Sequence, residues 1–578
     1  MIKNQSPDFD YLRSQIVGVD STFDTPFGER MMVYCDYTAS GRCLLFVENY
    51  LQSLQKNYAN THTEDDITGR NMTQLLHQAE EQIKRSVNAG PDGRIVSVGT
   101  GATGAIDKVQ QILGIACPPA TRHRMRSELE NFLGEEELQS FRRYRRARDP
   151  VVFVGPYEHH SNEISWRQGY AEVVEVELDE EGGICLEHLD SLLQAERFQG
   201  RLRIGSFSAA SNVSGMRTDV RAIARLLHRH DALACFDYAA CAPYVTIDMS
   251  PADDPDAALD AVFISPHKFL GGPGSSGVLV FNRRIYPRQL PPTVAAGGTV
   301  DYVSPKDQDF IADIEEREKA GTPGVLQTVK AALAFQIKDW IGTDRISARE
   351  HRFLERAMER WQAHPNVEIL GNEDPRRRIG IVSFNVTDPR GRYLHPKFLT
   401  ALLNDLFGIQ SRAGCSCAGP YGHRLLDIDL EHSEQYRQCV QQGYGGIKPG
   451  WCRVGFHYTM DQVETDYVIE AVEFIGQYGY RFLPFYDFDL CTGTWTHKTH
   501  DASFDQLSLD AAINAAPARQ TALSAEVRRA IYRSYLEDAR KQAESLADPC
   551  DHSCTLEGDL GELQFFALDE RSTANPTS

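Results

Sequence analysis

The reactive side chains of this sequence concentrate in a few short segments. In SPHKFLGGPGSSGVLVF (265–281), Lys268 follows Ser265 and His267 and precedes a glycine-rich turn into an apolar run. A lysine that condenses with a carbonyl needs a partly desolvated pocket to lower its pKa, and small neighbours that let a cofactor approach. Taken alone, the segment describes a strand end with a snorkelling lysine equally well. Upstream, LACFDYAA (233–240) sets Asp237 at the end of an apolar run. A carboxylate there is costly unless it meets a cation. A protonated pyridine nitrogen is such a cation, and its protonation makes the ring an electron sink. SVGTGATGAID (97–107) reads as strand, small-residue loop and helix start. Backbone N–H groups of Gly101, Ala102 and Thr103, with the Thr103 hydroxyl, would hold a phosphate at the positive end of that helix. A glycine-rich loop by itself could also be no more than a tight turn.

These segments need elements to position them. From about residue 94 to 340, short β-branched runs alternate with amphipathic stretches. RIVSV (94–98), VVFVG (151–155), AEVVEVEL (171–178), RIGSFS (203–208), LACFDY (233–238), AVFIS (261–265) and GVLVFN (277–282) predict strands, and DVRAIARLLHRH (219–230) a helix between them. That alternation predicts an α/β fold with a mostly parallel sheet covered by helices. The later pattern, with IGIVSFNV (379–386), CRVGFHY (452–458) and several helical stretches, predicts a smaller α+β domain.

The chain has 578 residues, 60 Lys and Arg against 81 Asp and Glu, and a formal charge of −21. Such a surface repels phosphate backbones and anionic lipid, which excludes nucleic-acid binding as a primary role. No apolar run approaches the roughly 20 residues that span a bilayer, and the opening residues lack a basic segment followed by an apolar one, which predicts no signal peptide. The 13 cysteines are odd in number and scattered, which predicts a reducing, cytoplasmic setting. Residues 121–149 are densely charged, with five Arg within 142–148, and read as a solvated helical insertion or as a docking surface.

Asp237, Lys268 and the phosphate loop, in this order, resemble the pyridoxal-phosphate enzymes of the class V aminotransferase fold, and most nearly the cysteine desulfurases and selenocysteine lyases. The resemblance runs from about Met32 to Tyr458 and extends to YCDYTAS (34–40), YEHHSN (157–162), SNVSGM (211–216), AGTP (320–323), QSRAGCSCAGP (410–420) and WCRVGFHY (451–458). It implies fold type I of the pyridoxal-phosphate-dependent transferases, with a seven-stranded-type large sheet. It implies His159 stacked on the cofactor ring, Asn212 beside the ring oxygen and the substrate, Ser265 and His267 as phosphate ligands, and Lys268 as the Schiff-base lysine. Thr322 would reach the phosphate of a neighbouring subunit, which implies a homodimer. Arg453 resembles the substrate-carboxylate arginine, with Arg412 nearby. Cys417 is in register with the desulfurase nucleophile, on a loop where arginine and backbone donors favour a thiolate. The Gly-Cys-x-Cys form, with Cys415, also resembles molybdenum-cofactor sulfurases.

The implied activity is removal of sulfur from L-cysteine as a Cys417 persulfide, with release of L-alanine and transfer to an acceptor protein. An aminotransferase, selenocysteine or C–S lyase, or epimerase with an incidental Cys417 is the alternative, and a non-catalytic scaffold a further one. Two departures stand out: Ala240 occupies the usual glutamine position, and Thr63 follows His62 where arginine is common. Cys415, Cys417, Cys439 and Cys452 with His423 have irregular spacing for zinc, and the desulfurase register explains Cys417 better, so no metal is expected. CDHSC (550–554) could be a tail metal or redox pair, or thiols without a role. The expected domains are an N-terminal segment packed on the small domain (1–30), a large cofactor domain (31–340), a small domain carrying the Cys417 loop (341–478) and a helical extension with a frayed tail (479–578).

Overall fold

A computed structural model describes residues 6–61, 65–99, 101–500, 522–549, 553–572 and 574–575; His62, Thr63 and the first three residues of CDHSC lie outside them. The chain divides into two compact units, one of Ala39–Asn212 and Met216–Ile346, the other of Met1–Thr38, Val213–Gly215 and Ser347–Ser578.

The first unit is built on a seven-stranded sheet. Its strands are β1 (Gly93–Val98), β2 (Val151–Val154), β3 (Glu172–Glu175), β4 (Arg203–Ser208), β5 (Leu233–Asp237), β6 (Ala261–Ile264) and β7 (Gly277–Asn282), in the order β1-β7-β6-β5-β4-β2-β3. All neighbours are parallel except around β7, which runs antiparallel to β1 and β6. Every residue of β2, β4 and β6 is buried, which is why these strands read as unbroken apolar or small-residue runs rather than alternating ones. Helix α1 (Gly101–Ile112) lays Ala105, Ile106, Val109 and Ile112 into a core shared with Val96, Val152, Phe263 and Leu279. The AEVVEVEL run pairs with β2 over β3, and beyond it Leu178 forms an antiparallel bridge with Ile184.

The charged insertion folds as two helices, α2 (Pro119–Phe132) and α3 (Glu135–Arg146), and only Leu138 of the pair is buried. Glu130 takes Arg126 at 2.7 Å and Arg142 at 2.9 Å, so part of the arginine run is spent within the insertion itself.

The second unit holds a four-stranded antiparallel sheet of β8 (Val367–Ile369), β9 (Ile381–Val386), β10 (Arg412–Gly414) and β11 (Trp451–Gly455), ordered β8-β9-β11-β10. Helices α5 (Pro396–Phe407), α6 (Gln462–Tyr478) and α7 (Ala525–Ser545) share its core, to which α7 brings Tyr532, Leu536, Ala539 and Ala543. The N-terminal run joins the same core through Met31, Val33 and Cys35. Residues Ala574–Asn575 pair in parallel with the strand Tyr486–Asp489. Among the described residues no helix is long and apolar enough to cross a membrane.

In the first unit, helix α4 (Val325–Ile341) carries the buried Lys338. Its ammonium donates to the carbonyls of Ala242 (3.3 Å) and Val245 (3.2 Å), and it lies 5.7 Å from the Phe269 ring, next in sequence to Lys268. Burial lowers the Lys338 pKa from 10.5 to about 8. Between those pH values the unfolded chain binds more protons than the folded one, so stability rises with pH; below the folded value the whole burial cost is present. Comparing urea unfolding of wild type and Lys338→Met from pH 7.5 to 9.5 tests this. Wild type is expected to gain roughly 1–3 kcal/mol relative to the variant as this lysine deprotonates.

Candidate active site

The carboxyl ends of five strands open on one cavity of about 170 Å³ in the first unit. Ala102 and Thr103 come after β1, and His159 and Ser161 after β2. Ser208 ends β4 and is followed by Ala210 and Asn212; Asp237 ends β5 and is followed by Ala239 and Ala240. Ser265, His267 and Lys268 come directly after β6. Parallel strands place such a crevice at their carboxyl ends, where loops rather than ladder bonds decide the lining.

Around the start of α1, the Ala102 N–H donates to Ser265 Oγ at 2.9 Å, and Thr103 Oγ1 shares a hydrogen bond with Ser161 Oγ at 2.7 Å. Gly101 has φ +57°, and a Cβ on it would lie 2.7 Å from Ser265 Oγ. A Cβ on Gly277, the first residue of β7, would meet the Gly101 backbone at 2.3 to 2.6 Å. Only two glycines let this turn press against the neighbouring strand. Burial, reinforced by the charge of Lys268, pushes the His267 imidazole down to about 4, so it is neutral at physiological pH.

Asp237 is closed off from water. Its Oδ1 accepts the Ala239 N–H at 2.8 Å. Burial pushes its carboxyl upward, opposed only in part by that hydrogen bond and by Lys268. Beneath it lies Glu158, equally buried, which accepts from the Ser208 N–H (2.8 Å), Ser208 Oγ (2.7 Å) and Asn162 Nδ2 (2.7 Å). Burial raises Glu158 to about 7 despite these donors. The network ties the turn after β2 to β4 and so fixes the segment that carries His159. The Ser161 N–H donates to His159 Nδ1 at 3.2 Å.

These residues fit pyridoxal phosphate. The α1 N–H groups, the hydroxyls of Thr103 and Ser265 and the neutral His267 suit a phosphate; the buried Asp237 lacks only a full cation, which a pyridinium supplies; Lys268 offers the amine. Of the residues anticipated for the cofactor, Ala102, Thr103, His159, Asn212, Asp237, Ser265, His267 and Lys268 line this one cavity, and Gly101 backs it. Thr322 does not line it and is exposed after Gly321.

The second unit holds the other anticipated residues. Arg412 on β10 and Arg453 on β11 are directly opposed across the ladder. Arg453 is buried and donates through Nη2 to Asp36 Oδ1 at 3.0 Å, while the exposed Arg412 donates through Nε to Asp36 Oδ2 at 3.2 Å. Burial lowers the Arg453 pKa, with Asp36 opposing that and Arg412 adding to it. After β10 the chain turns sharply: Ser416 and Cys417 have φ +51° and +58°, and the Ala418 N–H donates to the Cys415 carbonyl at 3.0 Å. Trp451 Nε1 donates to Ser416 Oγ at 3.2 Å and anchors the turn. Cys415 and Cys417 are exposed, whereas Cys439 and Cys452 are buried.

Ser161, Ser208, Glu158 and Asp36 were not singled out by sequence reasoning. Ser161, Glu158 and Asp36 stand inside the quoted segments YEHHSN and YCDYTAS, but Glu158 meets Ser208, Ser161 meets Thr103 and Asp36 meets Arg412 and Arg453 far along the chain, so no local signal marks them. Ser208 ends a predicted strand just as Asp237 does.

A model of the aminotransferase class-V family matches residues 138–468, more than half of the chain. A probable cysteine desulfurase of Halalkalibacterium halodurans is 27% identical over 402 residues, covering 69% of this chain and 86% of that protein. One of Streptomyces coelicolor is 26% identical over 452 residues, covering 77% and 92%. Among solved structures, a cysteine desulfurase of Escherichia coli superposes with a TM-score of 0.59 at 19% identity, covering 81% of this chain and 98% of that one. One of Thermococcus onnurineus gives 0.58 at 20% identity, covering 76% and 94%.

The contact of Gly277 with Gly101 yields a direct test. Gly277→Ala is expected to lower stability by about 1–3 kcal/mol, as overpacking against rigid backbone does, and to weaken pyridoxal-phosphate binding in equilibrium dialysis. Unchanged stability and affinity would contradict the close approach.

Proposed function

The chain belongs to the class-V aminotransferase family and is a pyridoxal-phosphate-dependent enzyme; from that premise we propose that it is a cysteine desulfurase, taking sulfur from L-cysteine onto Cys417 and releasing L-alanine. The observation that carries this reading is an exposed thiol on the turn next to β10, in the same compact unit as Arg453 and Arg412. The curated relatives described as probable cysteine desulfurases support it.

The cofactor would be held by Gly101, Ala102, Thr103, Ser265 and His267 at its phosphate, by Asp237 and His159 at its ring, by Asn212 beside the ring oxygen and by Lys268 at its aldehyde. When bound, pyridoxal phosphate withdraws electrons from the substrate's Cα. Arg453 grips the substrate carboxylate with a planar fork that matches two oxygens, and Arg412 and Asn212 assist in orienting the amino acid. The Lys268 amine moves the proton at Cα as general acid and base. The Cys417 thiolate then forms a bond to the substrate sulfur while the bond from sulfur to Cβ breaks. The electron pair of that bond stays on carbon, which is protonated to give alanine, and Cys417 keeps the sulfur as a persulfide. Atoms balance without an external oxidant: cysteine and the enzyme thiol become alanine and the enzyme persulfide.

The exposed position of Thr322 is compatible with its reaching the active site of a second subunit in a homodimer. A sulfur-acceptor protein is the partner this chemistry calls for, and the cytoplasm the compartment that keeps Cys417 reduced.

Two substitutions test the assignment. Cys417→Ala is expected to retain cofactor absorbance but to lose alanine release from cysteine by about 100-fold or more, the loss of a covalent nucleophile. Lys268→Ala is expected to lose both. Mass spectrometry of cysteine-treated wild type is expected to show one added sulfur on Cys417. Undiminished alanine release by the Cys417 variant would instead indicate a lyase or transaminase in which the thiol is incidental.

A further inference from the structure

Asp36 is carried between the two arginine strands. The N–H of its neighbour Cys35 donates to the Gln410 carbonyl at 2.9 Å, and the Cys35 carbonyl accepts from the Gly455 N–H at 2.7 Å. Gln410 lies two residues before Arg412 and Gly455 two after Arg453. The backbone thus aims the Asp36 carboxylate at the gap between two guanidinium groups that face each other across β10 and β11, and one oxygen goes to each.

Two arginines side by side present two positive charges, the arrangement that recognises a dicarboxylate. With Asp36 between them the cluster carries one net positive charge. One such charge matches an amino acid whose only anionic group is its α-carboxylate. We infer that Asp36 is a specificity-setting and positioning residue for the substrate-carboxylate arginine: it orients Arg453 and cancels the charge of Arg412, so that the cluster selects a monocarboxylate over a dicarboxylate. This rests on the reading of Arg453 as the carboxylate ligand, though not on Cys417 or on the release of alanine.

The scale of the effect follows from distance. Charges about 4 Å apart near a protein surface interact by several kT, enough to change an anion's affinity about tenfold or more. The effect is confined to charge and is separable from folding, because Arg412 is exposed and Asn can keep the shape of Asp36.

The experiment is isothermal titration of the holoenzyme with propionate and with succinate, which reads binding without turnover. For Asp36→Asn, the ratio of succinate to propionate affinity is expected to rise about tenfold, and Asp36→Glu to restore the wild-type ratio. Arg412→Gln in the wild-type background leaves a neutral cluster and is expected to weaken propionate about fivefold or more while Arg453 is intact. Adding Arg412→Gln to Asp36→Asn is expected to abolish the gain for succinate. A purely structural role for Asp36 would weaken both anions together and leave their ratio unchanged, and that result would overturn the proposal. If Asp36→Asn does not fold, unaltered propionate binding by Arg412→Gln overturns it instead. Failure of the desulfurase reading shows elsewhere, as alanine release that does not depend on Cys417, and leaves these binding ratios as they are.

Discussion

A carboxyl group sealed at the end of β5 is the constraint around which the first unit is arranged. Asp237 has one backbone N–H and a neighbouring lysine to offset its burial, and neither compensates it fully. Apolar side chains could have closed that strand end at no such cost. The parallel strands on either side deliver the remaining groups to the same crevice: a hydroxyl, an imidazole and an amine from the turn after β6, an imidazole from the turn after β2, and a helix start after β1. Glu158, a second buried acid, is held by Ser208 and Asn162, donors that also lock the loop carrying His159. The cavity is lined mostly by the loops that follow these strand ends.

The second unit solves the opposite problem. There the buried group is a cation, Arg453, and its counter-ion arrives from the N-terminal run across a strand pairing of a few residues. Positive charge is thereby stored inside a chain whose total is −21. Within that acidic total, Asp36 offsets one of the two guanidinium charges it bridges.

Much of this was legible in the residues. Lys268, Asp237 and the Gly101–Thr103 turn are conspicuous because each sets a costly or permissive residue type at the end of an apolar run, a local pattern that needs no knowledge of what lies across the fold. Strands β2, β4 and β6 were legible because a strand buried on both faces leaves an unbroken run of apolar or small residues. Asp36 was not, because its partners stand 376 and 417 residues away and nothing near it in sequence signals an ion pair. The pressure of Gly277 on Gly101 was likewise hidden, as a glycine that opens a strand looks the same whether or not another backbone touches it. Helix α7 was readable as a helix, with Tyr532, Leu536, Ala539 and Ala543 on one face, yet the core it enters is visible only in three dimensions.

The α2–α3 pair adds surface while burying a single apolar side chain, Leu138, and Arg142 of α3 pairs with Glu130 of α2. Such an appendage folds onto the body of the protein without becoming part of its cooperative core. Its tip, between Phe132 and Glu135, is therefore a place where the first unit tolerates being lengthened or labelled, because the backbone there is exposed and lies apart from the sheet ends in the chain.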